Sequence, residues 1–184
     1  MMFREHIMNK FGSKKGFLRY CLDELRCRIG LYREYTRSEN APERLVFVCQ
    51  GNICRSALAE WVFKSHSDLD AISLGLNTNT GKGANPRLLK IANERKNIDL
   101  SSHKTTSVED YVPRAGDVFI CMEASHIQEI KNLGYSGPFL LLGSFGKKKT
   151  FRINDPYSAN DTFMEKTIDD IVYHTVELAN SLKR

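Results

Sequence analysis

From Leu45 onward, short apolar runs alternate with longer segments of helical period, which predicts a series of strand and helix units. Strands are expected over residues 45–48, 71–74, 117–121 and 139–142, each an apolar block bounded by polar or glycine-bearing stretches. Helices are expected over 55–64, 86–96, 125–133 and 161–182. The last rests on Phe163, Ile168, Ile171, Val172, Thr175, Leu178 and Leu182, a helical stripe that follows polar Ala159-Asn160-Asp161. The pattern gives an α/β fold, a Rossmann-like four-stranded parallel sheet flanked by helices on both faces.

The first 44 residues follow a different pattern. A polar break at Gly12-Ser13-Lys14-Lys15-Gly16 separates two short helical candidates. In the second, Leu18, Leu22, Leu25, Ile29 and Tyr32 recur at steps of four and three among Arg19, Glu24, Arg26, Arg28 and Arg33, and Gly30 weakens its last turn. Ser38-Glu39-Asn40-Ala41-Pro42 is expected to be a linker. The chain is therefore divided into an α-helical N-terminal extension and linker, 1–44, and an α/β unit, 45–184.

Composition fits a water-soluble globule: 41% of the 184 residues are hydrophobic and 27% charged. No apolar run is long enough to span a bilayer and no signal-peptide core opens the chain, so the expected compartment is the cytoplasm. The net charge of +5 is concentrated early. Residues 1–44 hold ten Lys/Arg against six Asp/Glu, and the remaining residues seventeen against sixteen. Without a basic stripe interleaved with aromatics, a nucleic-acid partner is not expected. Cys21, Cys27, Cys49, Cys54 and Cys121 lack the spacing of a disulfide framework, and no Cys-x-x-Cys pair or histidine cluster suggests a metal.

The candidate chemistry lies in Leu45-Val46-Phe47-Val48-Cys49-Gln50-Gly51-Asn52-Ile53-Cys54-Arg55-Ser56. Cys49 would stand at the carboxyl end of the first strand, where open α/β sheets place their ligands. Loop N–H groups, the positive end of the helix that begins near Arg55, and Arg55 itself favour thiolate over thiol there. Arg55 offers a planar fork for two phosphoryl oxygens, a geometry lysine lacks. Gly51 and Asn52 suit a loop that curls its N–H groups inward and needs positive φ somewhere, and Ser56 is placed to donate to the sulfur. Cysteine, five residues and arginine also occur by chance, and a buried cysteine closing a strand is common. A preceding strand, Gly-Asn within, Arg-Ser after and a helix beyond make a more restrictive match. Cys54 either packs or forms a reversible disulfide with Cys49 on oxidation.

The segment from Val48 to Ser56, with Ala59-Glu60 beyond it, resembles the signature of the low-molecular-weight protein tyrosine phosphatases. Ile153-Asn154-Asp155-Pro156-Tyr157 is similar to that family's Asp-Pro-Tyr segment, and the resemblance runs from about Leu45 to Leu182. It implies a phosphocysteine intermediate on Cys49, with Arg55 binding the phosphoryl group and no cofactor. Gln50, Gly51, Asn52, Ile53, Cys54, Ser56 and Tyr157 would complete the phosphate and substrate site. Asp155 would act as general acid and then base, since a departing phenolate needs a positioned proton donor. The implied partner is a phosphotyrosine protein. The short segment Leu76-Asn77-Thr78-Asn79-Thr80 lacks the aromatic residue of animal members and resembles bacterial members that oppose tyrosine autokinases in exopolysaccharide production. Ser158 replaces a second tyrosine seen in many members, and Ala57 replaces the usual proline after Arg-Ser.

Two other functions share some of these residues. An arsenate reductase on the same fold needs further redox cysteines, and after Cys54 only Cys121 remains. A phosphate-binding regulatory module would have no need to keep Cys49, Arg55, Ser56 and Asp155 together. For the extension three contacts are open: its own domain, a partner, or a membrane surface. Burial of the leucine stripe against its own domain is the favoured expectation, while Asp23, Glu24 and Glu34 interrupt the basic residues and weigh against lipid.

Overall fold

The computed structural model describes residues 2–36 and 41–183, so Ser38, Glu39 and Asn40 of the expected linker lie outside the described residues. Four parallel strands, β1 (Arg44–Cys49), β2 (Asp70–Gly75), β3 (Asp117–Cys121) and β4 (Phe139–Leu141), form one sheet in the order β2-β1-β3-β4. Central β1 is buried along its whole length, which explains its unbroken apolar run. Side chains alternate across a strand. Leu45, Phe47 and Cys49 therefore share a layer with α3 (Arg55–Lys64), α4 (Pro86–Lys96) and α6 (Asp161–Leu182), while Val46 and Val48 pack with α5 (Ala124–Asn132) on the opposite face.

Local chemistry sets several element ends. The Asn85 side chain accepts from Arg87 N and Leu88 N, and Pro86 supplies a preset first helical residue for α4. Asn160 caps α6 through Phe163 N. Helix α5 begins at Ala124, one residue before the predicted start, and β4 stops at Leu141 because Leu142–Ser144 turns into a 3₁₀ segment.

The extension contains two helices, α1 (Met2–Phe11) and α2 (Lys14–Arg28), separated at the predicted break. Gly12 takes φ 73°, and a Cβ there would lie 3.0 Å from the Phe163 ring of α6. Beyond α2, Gly30 adopts φ 84°.

The expected burial of the leucine stripe needs correction. Leu18, Leu22, Leu25 and Ile29 face solvent, and only Tyr32 of that set is buried. The extension docks through other groups. Ile7 and Phe11 of α1 are buried, α1 packs on α6, and Asn160 Nδ2 donates to Asn9 Oδ1 at 2.7 Å. Asp23 of α2 is also buried and accepts from Arg152 Nε at 2.5 Å and Tyr32 Oη at 2.7 Å. An unpaired buried carboxylate is costly. Its partners Arg152 and Tyr32 therefore draw the Asp23 face inward, which turns the leucines outward.

Candidate active site

Cys49 ends β1, and the following residues curl back so that α3 starts at Arg55. Asn52 is the residue that makes this turn possible. It takes the left-handed conformation, φ 52°, which asparagine tolerates better than most residues. Gly51 is not in that region, so the positive φ expected in the loop falls on Asn52 alone. Asn52 Nδ2 donates to Ser56 Oγ at 2.9 Å and Ser73 Oγ at 2.7 Å, and Asn52 Oδ1 accepts from Thr106 N at 2.8 Å. The Asn52 carbonyl accepts from His103 Nε2 at 2.8 Å, which gives that buried histidine a loop-holding contact. Gly75 of β2 permits this close approach: a Cβ there would lie 3.0 Å from Asn52 N and 2.8 Å from Thr78 Cγ2.

Two donors meet the Cys49 sulfur. Asn52 N–H reaches Sγ at 3.2 Å, and Ser56 Oγ lies 3.0 Å away. Because Asn52 Nδ2 donates to the Ser56 oxygen, the hydroxyl proton has two acceptors, the Cys49 sulfur at 3.0 Å and the Leu74 carbonyl at 3.4 Å, and a thiolate at Cys49 would draw it to sulfur. Cys49, Gln50, Gly51, Ile53, Cys54, Arg55, Asp155 and Tyr157 line a cavity of about 190 Å³. Asn52 and Ser56, also expected to bind phosphate, stand behind the loop and brace it.

Arg55 is 2% exposed and held on several sides. Its Nη1 donates to Glu123 Oε1 at 2.9 Å and to the Ile153 carbonyl at 3.0 Å, and its Nη2 lies 3.3 Å from Asp155 Oδ2. Glu123 also pairs with Arg152, whose Nε binds Asp23. A continuous chain of ion pairs thus runs from α2 of the extension, through Arg152 and Glu123, to Arg55. Glu123 precedes α5 in extended backbone and makes no side-chain cap there, since its carboxylate is committed to the two arginines.

Asp155 and Tyr157 lie on the far side of the cavity mouth, and both are exposed. Tyr157 N donates to Asp155 Oδ1 at 3.2 Å. Arg87 of α4 holds this segment through Nη2, which donates to the Pro156 carbonyl at 3.0 Å. Sequence reasoning gave no role to Arg87, Arg152 or Glu123. Their partners are distant in the chain, and no local spacing marks such pairs.

The electrostatics separate the cysteines. Burial, reinforced by the Cys49 and Asp155 charges, pushes the Cys54 thiol up to about 12. Burial also pushes up Cys121, which faces the opposite side of the sheet from Cys49. Burial, with Arg55 adding to it, holds His126 well below its ordinary value. His126 Nε2 stands 3.3 Å from Glu123 Oε1, so a neutral imidazole can donate there.

A sequence profile described as low molecular weight phosphotyrosine protein phosphatase matches residues 44–184. The chain belongs to that family. It is 32% identical over 123 residues to the low molecular weight protein-tyrosine-phosphatase Wzb of Escherichia coli K12, covering 65% of this chain and 82% of that protein. The probable low molecular weight protein-tyrosine-phosphatase EpsP of Ralstonia nicotianae is 28% identical over 130 residues, with 69% and 87% covered. As a family member the chain is a protein tyrosine phosphatase, a phosphoric monoester hydrolase. The fold has solved counterparts. The tyrosine phosphatase AmsI of Erwinia amylovora superposes with a TM-score of 0.70 at 24% identity, covering 80% of this chain and 98% of that one. YwlE of Bacillus subtilis superposes with a TM-score of 0.66 at 24% identity, with 77% and 99% covered. YwlE is described as an arginine phosphatase, so likeness of fold does not choose the phosphorylated side chain.

Proposed function

We propose that the phosphatase hydrolyses protein phosphotyrosine through a phosphocysteine on Cys49, with Arg55 binding the phosphoryl group and Asp155 transferring protons. The observation that carries this reading is the convergence of Cys49, the Arg55 guanidinium and the Asp155 carboxylate on one small cavity at the carboxyl end of β1. Loop N–H groups and Arg55 hold the phosphoryl oxygens. The Cys49 thiolate attacks phosphorus, forming an S–P bond as the P–O bond to the tyrosine breaks. Asp155 gives its proton to the departing phenolate oxygen. The resulting carboxylate then takes a proton from water. The water oxygen bonds to phosphorus, the S–P bond breaks, and inorganic phosphate and the thiolate are released. The donors from Ser56 and Asn52 stabilise sulfur both before attack and as leaving group.

Tyr157, exposed at the cavity mouth, serves as one wall for the substrate ring. In biological terms the reading is that the enzyme acts in the cytoplasm against a tyrosine autokinase in exopolysaccharide production. Its relationship to Wzb and the short 76–80 segment without an aromatic residue support this. The arsenate reductase alternative lacks support from the geometry, because Cys121 lies across the sheet from Cys49 and cannot serve as a nearby resolving thiol.

Burst kinetics on a phosphotyrosyl peptide test the reading. Asp155→Ala should lower kcat by about 10²–10⁴-fold, as expected for loss of a general acid, while phosphate binding is retained. Cys49→Ser should abolish turnover. Unchanged kcat in Asp155→Ala, or preference for a phosphoarginyl over a phosphotyrosyl peptide, would overturn it.

A further inference from the structure

The outward turn of α2 leaves a continuous apolar strip on the surface. Leu18, Leu22, Leu25 and Ile29 follow one another at helical steps and are 61%, 44%, 57% and 66% exposed, and exposed Leu31 continues beyond the helix. Single exposed leucines are ordinary, but an aligned set on one face requires a reason.

The charges around the strip are ordered. At about 100° per residue, Lys15, Arg19 and Arg26 lie along one flank and Lys14 and Arg28 along the other. All five are exposed, and Arg26 also reaches Asp23 Oδ1 through Nη1 at 3.4 Å, leaving four of the five without a carboxylate partner on the helix among the described residues. The acidic residues of α2 lie elsewhere. Asp23 is buried under the helix in its pairs with Arg152 and Tyr32, and half-buried Glu24 falls on the protein-facing side between Tyr20 and Phe17. The interruption of basic residues seen along the sequence is therefore absent from the outward surface. Only Glu34, beyond the helix, remains exposed among the three acidic residues that weighed against lipid.

We propose that α2 is an interfacial helix that docks the phosphatase on an anionic lipid surface, with the leucine strip entering the headgroup and acyl boundary and the basic flanks meeting the headgroup phosphates. The charge arrangement selects this occupant. A second copy brought to the same face would place five basic residues against five, whereas an anionic bilayer supplies the complementary charge on both flanks. The site is independent of the catalytic assignments, so loss of either reading leaves the other intact.

Vesicle flotation of the full-length protein tests the proposal. Vesicles containing phosphatidylglycerol and phosphatidylcholine are compared with phosphatidylcholine alone, with and without high salt. A basic residue close to an anionic surface raises partitioning by about fivefold, so binding to the anionic vesicles should exceed binding to the neutral ones by at least about tenfold and weaken in salt. The Leu22→Ser, Leu25→Ser, Ile29→Ser triple variant should lose about tenfold or more in binding while retaining its circular dichroism and its activity on a soluble phosphopeptide. A Lys14→Gln, Lys15→Gln, Arg19→Gln variant should lose the preference for anionic vesicles. Failure to bind vesicles, equal binding to both compositions, or undiminished binding of the triple serine variant overturns the proposal. So does a concentration-dependent dimer, seen by sedimentation without vesicle binding and abolished by the same serines, which would assign the face to a second copy.

Discussion

Asp23→Asn isolates the electrostatic link between the extension and Arg55, the proposed phosphoryl-binding arginine. The replacement preserves shape but removes one acceptor oxygen and the negative charge that meets Arg152 Nε at 2.5 Å. An amide nitrogen then either faces the Arg152 donors or displaces the Tyr32 hydroxyl. The site is buried, so solvent does little to compensate. Loss of one hydrogen bond between charged groups costs about 1.5–3 kcal/mol, and the misplaced donor brings the expected destabilisation to about 2–4 kcal/mol. For a chain of this size each kcal/mol moves the midpoint by about 2–4 °C, so thermal unfolding should fall by about 5–15 °C. Arg152, relieved of one carboxylate, should shift toward Glu123 and disturb the hold on Arg55. The KM for a soluble phosphopeptide should rise by about two- to tenfold with a smaller change in kcat, because Asp155 is untouched. A double-mutant cycle with Arg152→Gln separates the pair from unrelated damage, and the coupling should be about 1–3 kcal/mol. Strict additivity of the two substitutions, or an unchanged melting temperature in Asp23→Asn, would refute the link.

Three further outcomes follow from the geometry and the burial of titratable groups. With its thiol pushed up to about 12, Cys54 should stay protonated at pH 7 and resist iodoacetamide, whereas Cys49 should react and be protected by inorganic phosphate; peptide mapping that found Cys54 alkylated as fast as Cys49 would contradict this. His126 is held well below its ordinary value, chiefly by burial, and His174 is also lowered chiefly by burial. The unfolded chain therefore binds protons near pH 6.5 that the native state does not, so stability is full above that pH and declines below it by up to about 1.4 kcal/mol per unit for each histidine. Melting curves from pH 7.5 to 5.5 should show this decline, and His126→Gln should reduce its slope; a flat profile in the unmodified protein would be incompatible. Gly75→Ala should drive its methyl group against Asn52 and Thr78, displacing the Cys49 loop and lowering kcat/KM by at least about tenfold, and wild-type kinetics would show that the loop yields without cost.

The readability of the chain depended on how locally each feature was encoded. Central β1 is buried on both faces, so its apolar run marked the strand directly, and polar Asn160, which caps α6, marked that helix's start. The loop from Cys49 to Ser56 was equally legible because its chemistry occupies contiguous positions. Asp155 lies far from that loop in sequence and was found through the Asp-Pro-Tyr segment. Glu123, Arg152 and Arg87 were not assigned, since ion pairs and carbonyl contacts between distant segments leave no periodic signal. The stripe of α2 identified an amphipathic helix correctly but not its orientation. That was decided by Asp23, a single buried charge whose partner lies 129 positions away.

Asn52 has an architectural consequence. Its backbone turns the loop, its side chain secures that turn to Ser56, Ser73 and Thr106, and yet it stays outside the lining of the cavity. On the proposed mechanism, the shape that would receive a phosphoryl group is thus maintained from behind, while Tyr157, the proposed wall for the rest of a substrate, stands at the rim. On that mechanism, holding the reacting group and choosing its carrier fall to different residues, so the rim could be rebuilt for a new phosphorylated target without recasting the mould behind it.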